Sequence, residues 1–461
     1  MKAMLLPLSL GAAILTLAVD PSPAQTRTLR IVTYNIEADI NGATSPLPGL
    51  IAPPGNTTSY QSGGVLEGIG EELRNGHAQP LDVLALQETT SNPQTVAPIV
   101  NALNAFYGIP GLYSNSSYQA TESGGNAADG NGPNALVFNT HTLQLLASTP
   151  VDPSGGTANL GSHSGEYREV MRYELAPAGV AATPANSFYV YVSHYKSGTT
   201  STDLTARTGE AQIIRTNEAL ALPAGARVIY VGDFNISSSS EASYQTILAA
   251  TAPDGIAQGA GLDPMNPAGQ TINWATSTTS TNLLAMETEH SYDLEYRDDL
   301  QVMTTNVYYG APGGLAYVPG TYHVFGNNGT TAYYGSVNNA ANTALAGRLV
   351  TNGPVFIPAS QLLLDLTNAS DHLPVVADYA LPLPAPAISG VSTAGANLVV
   401  TLSNCATNAV LTLLTATSLA LPGNNWTPVA TNTAAAGTIA FTATNAVNAS
   451  QPCGFFVIQE Q

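Results

Sequence analysis

The clearest element in the chain is the apolar run Val228–Val231, closed by Gly232 and followed by Asp233 and Asn235. Four consecutive apolar residues read as a buried strand. Residues two apart in an extended chain share a face, so Asp233 and Asn235 would project together from its end. Similar runs recur. Leu29–Ile36 and Leu81–Glu88 read as strands, the first with Asn35 near its end and the second closing on Gln87 and Glu88. Ala135–Phe138 and Glu169–Leu175 form a further pair, and Ser187–His194 is a long β run that stops at a histidine. Between these runs the period lengthens to that of a helix, at Val65, Leu66, Ile69 and Leu73, over Thr95–Phe106, and over Asp203–Leu220 with Leu204, Ala211, Ile214 and Ala219 on one side. A short helix is expected over Glu241–Ala249, capped from the serines at 237–240. Tyr296–Met303 and Leu373–Tyr379 return to strand. The Gly-rich stretches Asn41–Gly64 and Ser123–Pro133 read as loops. Thr305–Leu366 is too long for a plain loop, and reads either as a functional flap or as weak extra strands.

After Tyr379 the texture changes. Alternate prolines from Leu381 to Ala387 forbid a helix and predict a stiff linker. Beyond it, short β segments at Leu398–Leu402, Val410–Leu414, Trp426–Val429, Thr438–Thr442 and Phe455–Ile458 alternate with turn signals, as in a small antiparallel sandwich. The organisation expected is an α/β domain over 25–380, a linker over 381–387 and a β module over 388–461.

The first 24 residues stand apart. Lys2 precedes an apolar stretch from Met4 to Val19, and Ser22, Pro23 and Ala24 offer small residues before Gln25. Pro7 and Gly11 interrupt the stretch, so it reads as a removed secretory leader rather than an anchor. The protein is therefore expected outside the cytoplasm: secreted, periplasmic or at the cell surface. No other stretch is long and apolar enough to be a membrane-spanning helix. Charged residues make up only 9% of the 461, with a net charge of −19. Lysine occurs only at 2 and 196, and no Lys or Arg follows Arg348. Phosphate backbones are gripped by Lys and Arg, so this balance argues against broad, nonspecific hold on nucleic acid, though not against a small cationic or metal-lined cleft. In an exported chain, the two cysteines, Cys405 and Cys453, are expected to form a disulfide bracketing the C-terminal module.

Polar residues of one kind gather at the strand ends: Asn35, Glu88, His194, Asp233 with Asn235, Arg297 with Asp299, and Asp371 with His372. Strands that alternate with helices bring such ends to one edge. Singly, each is an ordinary loop residue; together they suit phosphoester hydrolysis. Glu88 and Asp371 are hard oxygen ligands for a cation such as Mg²⁺, with Mn²⁺ or Ca²⁺ as alternatives. Asp233 would orient or deprotonate the attacking water. His372 would stabilise the pentacoordinate state, with Asp299 fixing its tautomer. His194 and Lys196 would contact the phosphate, or His194 would protonate the leaving oxygen. Asn35 and Asn235 would hold the metal shell or the phosphate. Arg297 is a candidate for substrate contact, and Asp298 competes with Asp299 as partner of the histidine.

In sequence order, Thr33–Ile36, Leu86-Gln87-Glu88, Ser193-His194, Gly232-Asp233-Phe234-Asn235, Arg297 with Asp299, and Ser370–Pro374 resemble the motifs of the endonuclease/exonuclease/phosphatase superfamily, across roughly Leu29–Tyr379. The resemblance implies a four-layer α/β sandwich, two packed sheets flanked by helices, with the site at one rim. It implies divalent-metal hydrolysis of a phosphoester. It casts Asn35 and Glu88 as metal-site residues, Asp233 and Asn235 as the pair that positions water and phosphate, and Asp371 and His372, with Asp299 behind the histidine, as the rest of the catalytic set. It leaves the substrate open. An extracellular nuclease acting on DNA or RNA as a monomer is the first expectation. Phospholipase-like, sphingomyelinase-like or phosphomonoesterase activity is the alternative within the family, and a non-catalytic surface-binding protein the alternative outside it. The C-terminal part resembles β modules appended to secreted bacterial proteins, through Leu414–Pro428.

Overall fold

The structure, a computed structural model, describes residues 4–7, 14–19, 26–38, 49–51, 64–74, 76–90, 92–116, 133–151, 170–289, 294–351, 357–383, 386–405, 410–416, 426–434, 437–446 and 453–460. The fold is mixed α/β, with two large packed sheets and a strand-rich C-terminal part. The chain divides into two compact units: Thr28–Leu175 with Ser187–Ala380, and Met1–Arg27 with Ala176–Asn186 and Leu381–Gln461.

In the larger unit, β-branched and aromatic runs build both sheets. The first has six strands in the order Gly261–Leu262, Asp299–Thr304, Val228–Asp233, Phe188–His194, Val170–Pro177 and Leu143–Val151. Its central pair, Phe188–His194 with Val228–Asp233, runs parallel, and Asp299–Thr304 runs antiparallel to the latter. The second has seven strands. Ala316–Tyr317, Val375–Pro382, Thr26–Asn35, Val83–Gln87, Ala135–Asn139 and Tyr113–Asn115 lie in that order, and His323–Val324 also pairs with Val375–Pro382. Thr26–Asn35 and Val83–Gln87 are parallel.

The sheets face each other across a buried polar bridge. Gln301 Nε2, on the first sheet, donates to the carbonyls of Ile31 (3.0 Å) and Val375 (2.8 Å) on the second, and Tyr379 Oη donates to Gln301 Oε1 at 3.0 Å. These bonds satisfy an amide that would otherwise cost about 1–3 kcal/mol in a dry interior. Helices cover the outer faces. Ser201–Ala221 buries Ala211, Ile213 and Ile214 in a core shared with Tyr191, Tyr230, Tyr244, Ile247 and Trp274. Each such apolar side chain contributes about 1.5–3 kcal/mol. That helix begins with a capping box, in which Thr200 Oγ1 accepts from the Asp203 amide and Asp203 Oδ2 from the Thr200 amide. On the other sheet, Val65–Gly70 packs with Ala359–Ala369, and Leu362 fills the space beside Gly68.

Several expectations shift. The helical pattern through Leu73 stops at Gly70, and Leu73–Arg74 is instead a short strand. Glu67 and Glu72, acidic residues of this segment, are buried. Glu67 turns inward because its carboxylate accepts the Gly64 amide at 2.9 Å. Thr305–Leu366 holds the extra strands of its second reading: it supplies two short strands to the second sheet, the Thr305–Tyr308 turn of helix and most of Ala359–Ala369. The final strand runs through Pro382, into the stretch read as linker.

In the smaller unit, Ala387–Ala394, Asn397–Ser403 and Ile439–Ala443 form one antiparallel sheet. Val410–Ala416 pairs with Thr427–Thr433 and with Cys453–Glu460 in another, which also takes in Met4–Pro7 and Ile14–Val19. Leu398, Val400, Leu402, Leu411, Leu413, Phe441, Phe456 and Ile458 from both sheets share one core. Cys405 is buried in it. The expected disulfide falls outside the described residues, because nothing is described of the Cys453 side chain. Ala176–Asn186 belongs to this unit rather than to the α/β unit. It lies against Gly437, where an added Cβ would sit 1.8 Å from the Gly179 carbonyl oxygen.

Candidate active site

Register explains why distant residues meet. In the first sheet His194 lies opposite Asp233, and Asp233 opposite Asp299. Three strand ends thus carry three polar groups side by side. In the second sheet Asn35 lies opposite Gln87, so Glu88 emerges one residue beyond. Sheet packing brings the two sets together. Asn35 Nδ2 lies 3.0 Å from Glu88 Oε1, 3.1 Å from Asp233 Oδ2 and 3.4 Å from His372 Nε2. His194 Nε2 lies 3.4 Å from both Glu88 Oε1 and Asp233 Oδ2. Asn35, Glu88, His194, Asp233 and His372 are all buried.

Backbone geometry sharpens the cluster. Gly232 takes φ +140°, and a Cβ there would meet the Ser193 carbonyl oxygen at 1.9 Å, so only glycine lets the two strands close beside the site. Glu88 and Asn235 adopt left-handed φ of 54° and 50°. Such conformations cost about 1–3 kcal/mol each and persist where the surroundings enforce them. The Asn235 amide donates to Asp233 Oδ1 at 2.9 Å and its Nδ2 to the Tyr195 carbonyl at 3.0 Å. Asp233 Oδ1 is thereby anchored, while Oδ2 faces Asn35, His194 and His372.

His372 enters on the turn after Ala359–Ala369. Ser370 Oγ donates to the Asn35 carbonyl at 2.7 Å and accepts the His372 amide at 3.1 Å. His372 Nδ1 lies 2.8 Å from Asp299 Oδ2, which fixes Nδ1 as the donor and turns Nε2 to the centre. Burial opposes charge on this ring, but Asp299 first and Asp371 next outweigh it, so its pKa stands well above the usual histidine value. Burial raises Asp299, with His372 opposing the rise.

Three site expectations change. Asn35 was expected to hold the metal, yet its Oδ1 accepts the Glu37 amide at 3.1 Å, and its Nδ2 points at the two carboxylates. In this arrangement it bridges Glu88 and Asp233 through its Nδ2. Arg297 was expected on the substrate, yet it is fully buried in a two-pronged pair with Asp263, at 2.6 and 2.9 Å, and stacks on Trp274. A cation so enclosed supports the fold beneath Asp299. Lys196 is half-exposed, with Nζ 3.1 Å from the Ser197 carbonyl and 3.6 Å from Asp203 Oδ1, so its charge is directed to a helix start. Asp371 stays at the rim, with Oδ1 3.6 Å from His372 Nε2. Of the neighbours Asp298 and Asp299, the second takes the histidine. Sequence reasoning missed Glu289, whose backbone bridges His372 and whose carboxyl burial pushes up to about 7. No spacing pattern marks it.

The residues present fit a divalent cation. Glu88, His194 and Asp233 each offer one ligand atom, and the three lie within 4.8 Å of one another. Two buried carboxylates converging this closely are stabilised by a shared cation, and carboxylate oxygen suits a hard one.

The family model of the endonuclease/exonuclease/phosphatase family matches residues 32–284. The chain belongs to this family. It is a metal-dependent phosphoester hydrolase by that membership. No curated protein matches it. Among solved structures, it is similar to the human Nocturnin catalytic domain with bound sulfate, at 15% identity over 77% of this chain and 96% of that one, with a TM-score of 0.42. It is similar to ANGEL2, a 2',3'-cyclic phosphatase, at 14% identity over 78% and 99%, with a TM-score of 0.41. A humanized D. rerio TDP2 shares 15% identity over 76% and 98%, with a TM-score of 0.39. Among the described residues, no helix is long and apolar enough to cross a membrane.

Proposed function

We propose that this endonuclease/exonuclease/phosphatase family member is an exported phosphodiesterase that cleaves nucleic-acid phosphodiester bonds. The observation that carries the chemistry is the convergence of Asn35, Glu88, His194, Asp233 and the Asp299–His372 pair on one buried point. Export rests on the Lys2 and Met4–Val19 pattern.

Glu88, Asp233 and the imidazole of His194 would hold a divalent cation such as Mg²⁺, which supplies neutralisation and polarisation of the phosphoryl group. Asn35 keeps the two carboxylates facing one another. Asp233 Oδ2, left to the centre by the Asn235 clamp on Oδ1, orients the attacking water and takes its proton. The water oxygen bonds to phosphorus as the ester P–O bond breaks. His372, charged near neutral pH, gives the Nε2 proton to the departing oxygen, and Asp299 keeps the ring aimed.

A second reading is supported by charge. With a net −19 and Lys196 as the one lysine outside the leader, a phosphodiester that is not a polyanion, such as a phospholipid headgroup, meets less repulsion. The test is a panel of plasmid DNA, RNA, sphingomyelin, inositol phosphates and a generic phosphodiester, with and without chelator. Turnover of DNA or RNA that needs a divalent cation supports the first reading, and turnover of lipid alone the second. No cation-dependent turnover of any of them overturns both.

A further inference from the structure

We infer that Thr288 is a positioning residue for the reaction, holding Asp299 and His372 at working distance from opposite sides. The inference rests on the hydrolase reading above for its kinetics, but its geometry stands apart. Thr288 is fully buried. Its Oγ1 accepts the backbone amides of Asp298 at 3.1 Å and Asp299 at 3.0 Å. Its carbonyl accepts the Leu373 amide at 2.7 Å, and its own amide donates to the Tyr296 carbonyl at 2.9 Å. One residue therefore touches the start of the strand that carries Asp299 and the residue that follows His372. These are the two ends of the 2.8 Å contact between His372 Nδ1 and Asp299 Oδ2.

The hydroxyl has a further consequence. With two N–H groups on its lone pairs, it satisfies both backbone amides at the start of the strand that carries Asp299. Thr288 thus fixes the Asp299 backbone from which the carboxylate reaches the ring. The strand end cannot supply this itself: the Asp298 and Asp299 amides lie at the sheet's beginning, where ladder partners run out. The segment around Thr288 is anchored independently, since Asn327 Nδ2 donates to the carbonyls of Leu284 (2.7 Å) and Glu287 (2.9 Å). Removing the hydroxyl should loosen the pair without releasing the segment.

The test compares Thr288→Val, which keeps shape but loses the hydroxyl, with Thr288→Ser, which restores it, and Thr288→Cys, a weak acceptor that is informative even where the valine variant does not fold. Two readouts are taken on the full chain. The first is steady-state kinetics on the phosphodiester that the wild type turns over, with Mg²⁺. Positioning predicts kcat lowered about tenfold or more in the valine and cysteine variants, with KM little changed, and recovery in the serine variant. The second is the downfield proton resonance of His372 Nδ1–H, identified by its loss in His372→Gln. It should persist in wild type and Thr288→Ser, and broaden or vanish in Thr288→Val and Thr288→Cys. Wild-type kcat and an unchanged resonance in the cysteine variant would overturn the inference. If the wild type hydrolyses none of the panel, the function proposed above fails, and the resonance alone still decides the role of Thr288.

Discussion

At the scale of single residues, the site is a set of groups that each lack freedom. Asn35 gives its amide hydrogens to Glu88 and Asp233, and Asn235 clamps the far oxygen of Asp233. Asp299→Asn keeps the shape but removes the charge that holds His372 as an imidazolium. We expect kcat to fall by about 10²-fold or more, and the thermal midpoint to fall with the loss of the buried pair, measured by steady-state assay and calorimetry. The sign of the pH dependence follows from His372. Its pKa is raised in the folded protein, so the charged form and the stability it confers are fully present below the ordinary histidine value and are lost as pH rises through the folded one. Activity should decline on the alkaline side, and a kcat–pH profile of Asp299→Asn should decline earlier than that of wild type. Residue types and order singled out Asp233, Asn235, Asp371 and His372 in the sequence, and the fold brings Asp233 and His372 to within 3.9 Å of each other. Nothing there said that Arg297 would be enclosed by Asp263, because the partner lies 34 residues away in irregular chain. Nor did it say which of Asp298 and Asp299 would face the ring. That is fixed by strand register, where Asp299 lies opposite Asp233.

At the scale of elements, two parallel strands deliver His194 and Asp233 together because Gly232 lets them approach beside the site. Gly232→Ala would place a methyl group 1.9 Å from the Ser193 carbonyl oxygen, at a φ that side chains rarely adopt. We expect loss of soluble folded protein, or destabilisation by about 3 kcal/mol or more, read by denaturant unfolding. A second element-level device lies where the chain after Val65–Gly70 meets His323–Val324. Burial alone would raise Glu72, but His323 above all, with Arg74 and Arg30, lowers its pKa to about 2. A depressed carboxylate contributes stability above its unfolded value, and that contribution is lost as pH falls toward the folded one. Wild type should therefore lose roughly 3 kcal/mol more than Glu72→Gln between about pH 5 and 2, read by unfolding at each pH. Strands with dense apolar runs were legible as sequence. Leu143–Val151 was not, because most of it is only half-buried and its pattern is correspondingly weak. Ala359–Ala369 was hidden inside a long polar stretch, although Leu362, Leu363 and Leu366 have helical spacing and face the core.

At the scale of the whole molecule, every site residue belongs to the larger unit. The smaller unit resumes at Leu381, next to the change in texture after Tyr379. The membership of Ala176–Asn186 in the smaller unit was not legible in the sequence, because a contact between distant segments leaves no local pattern. The charge of −19 acts on encounter rather than on the chemistry. A polyanionic substrate should be repelled at low ionic strength, so the rate on DNA should rise as NaCl is raised toward about 0.15 M, opposite to a basic nuclease. A fall over that range would point to a cationic contact outside those described.

The proposed hydrolysis of a phosphodiester by Glu88, Asp233 and His372 with a divalent cation is open to direct test. The most direct measurement is release of p-nitrophenol from bis(p-nitrophenyl) phosphate by the purified chain, before and after chelation and with Mg²⁺ or Mn²⁺ restored, beside His372→Ala. Turnover that disappears on chelation, returns with the cation and falls at least about 10²-fold in His372→Ala is the predicted result. Turnover unaffected by chelation, or undiminished in His372→Ala, would contradict it.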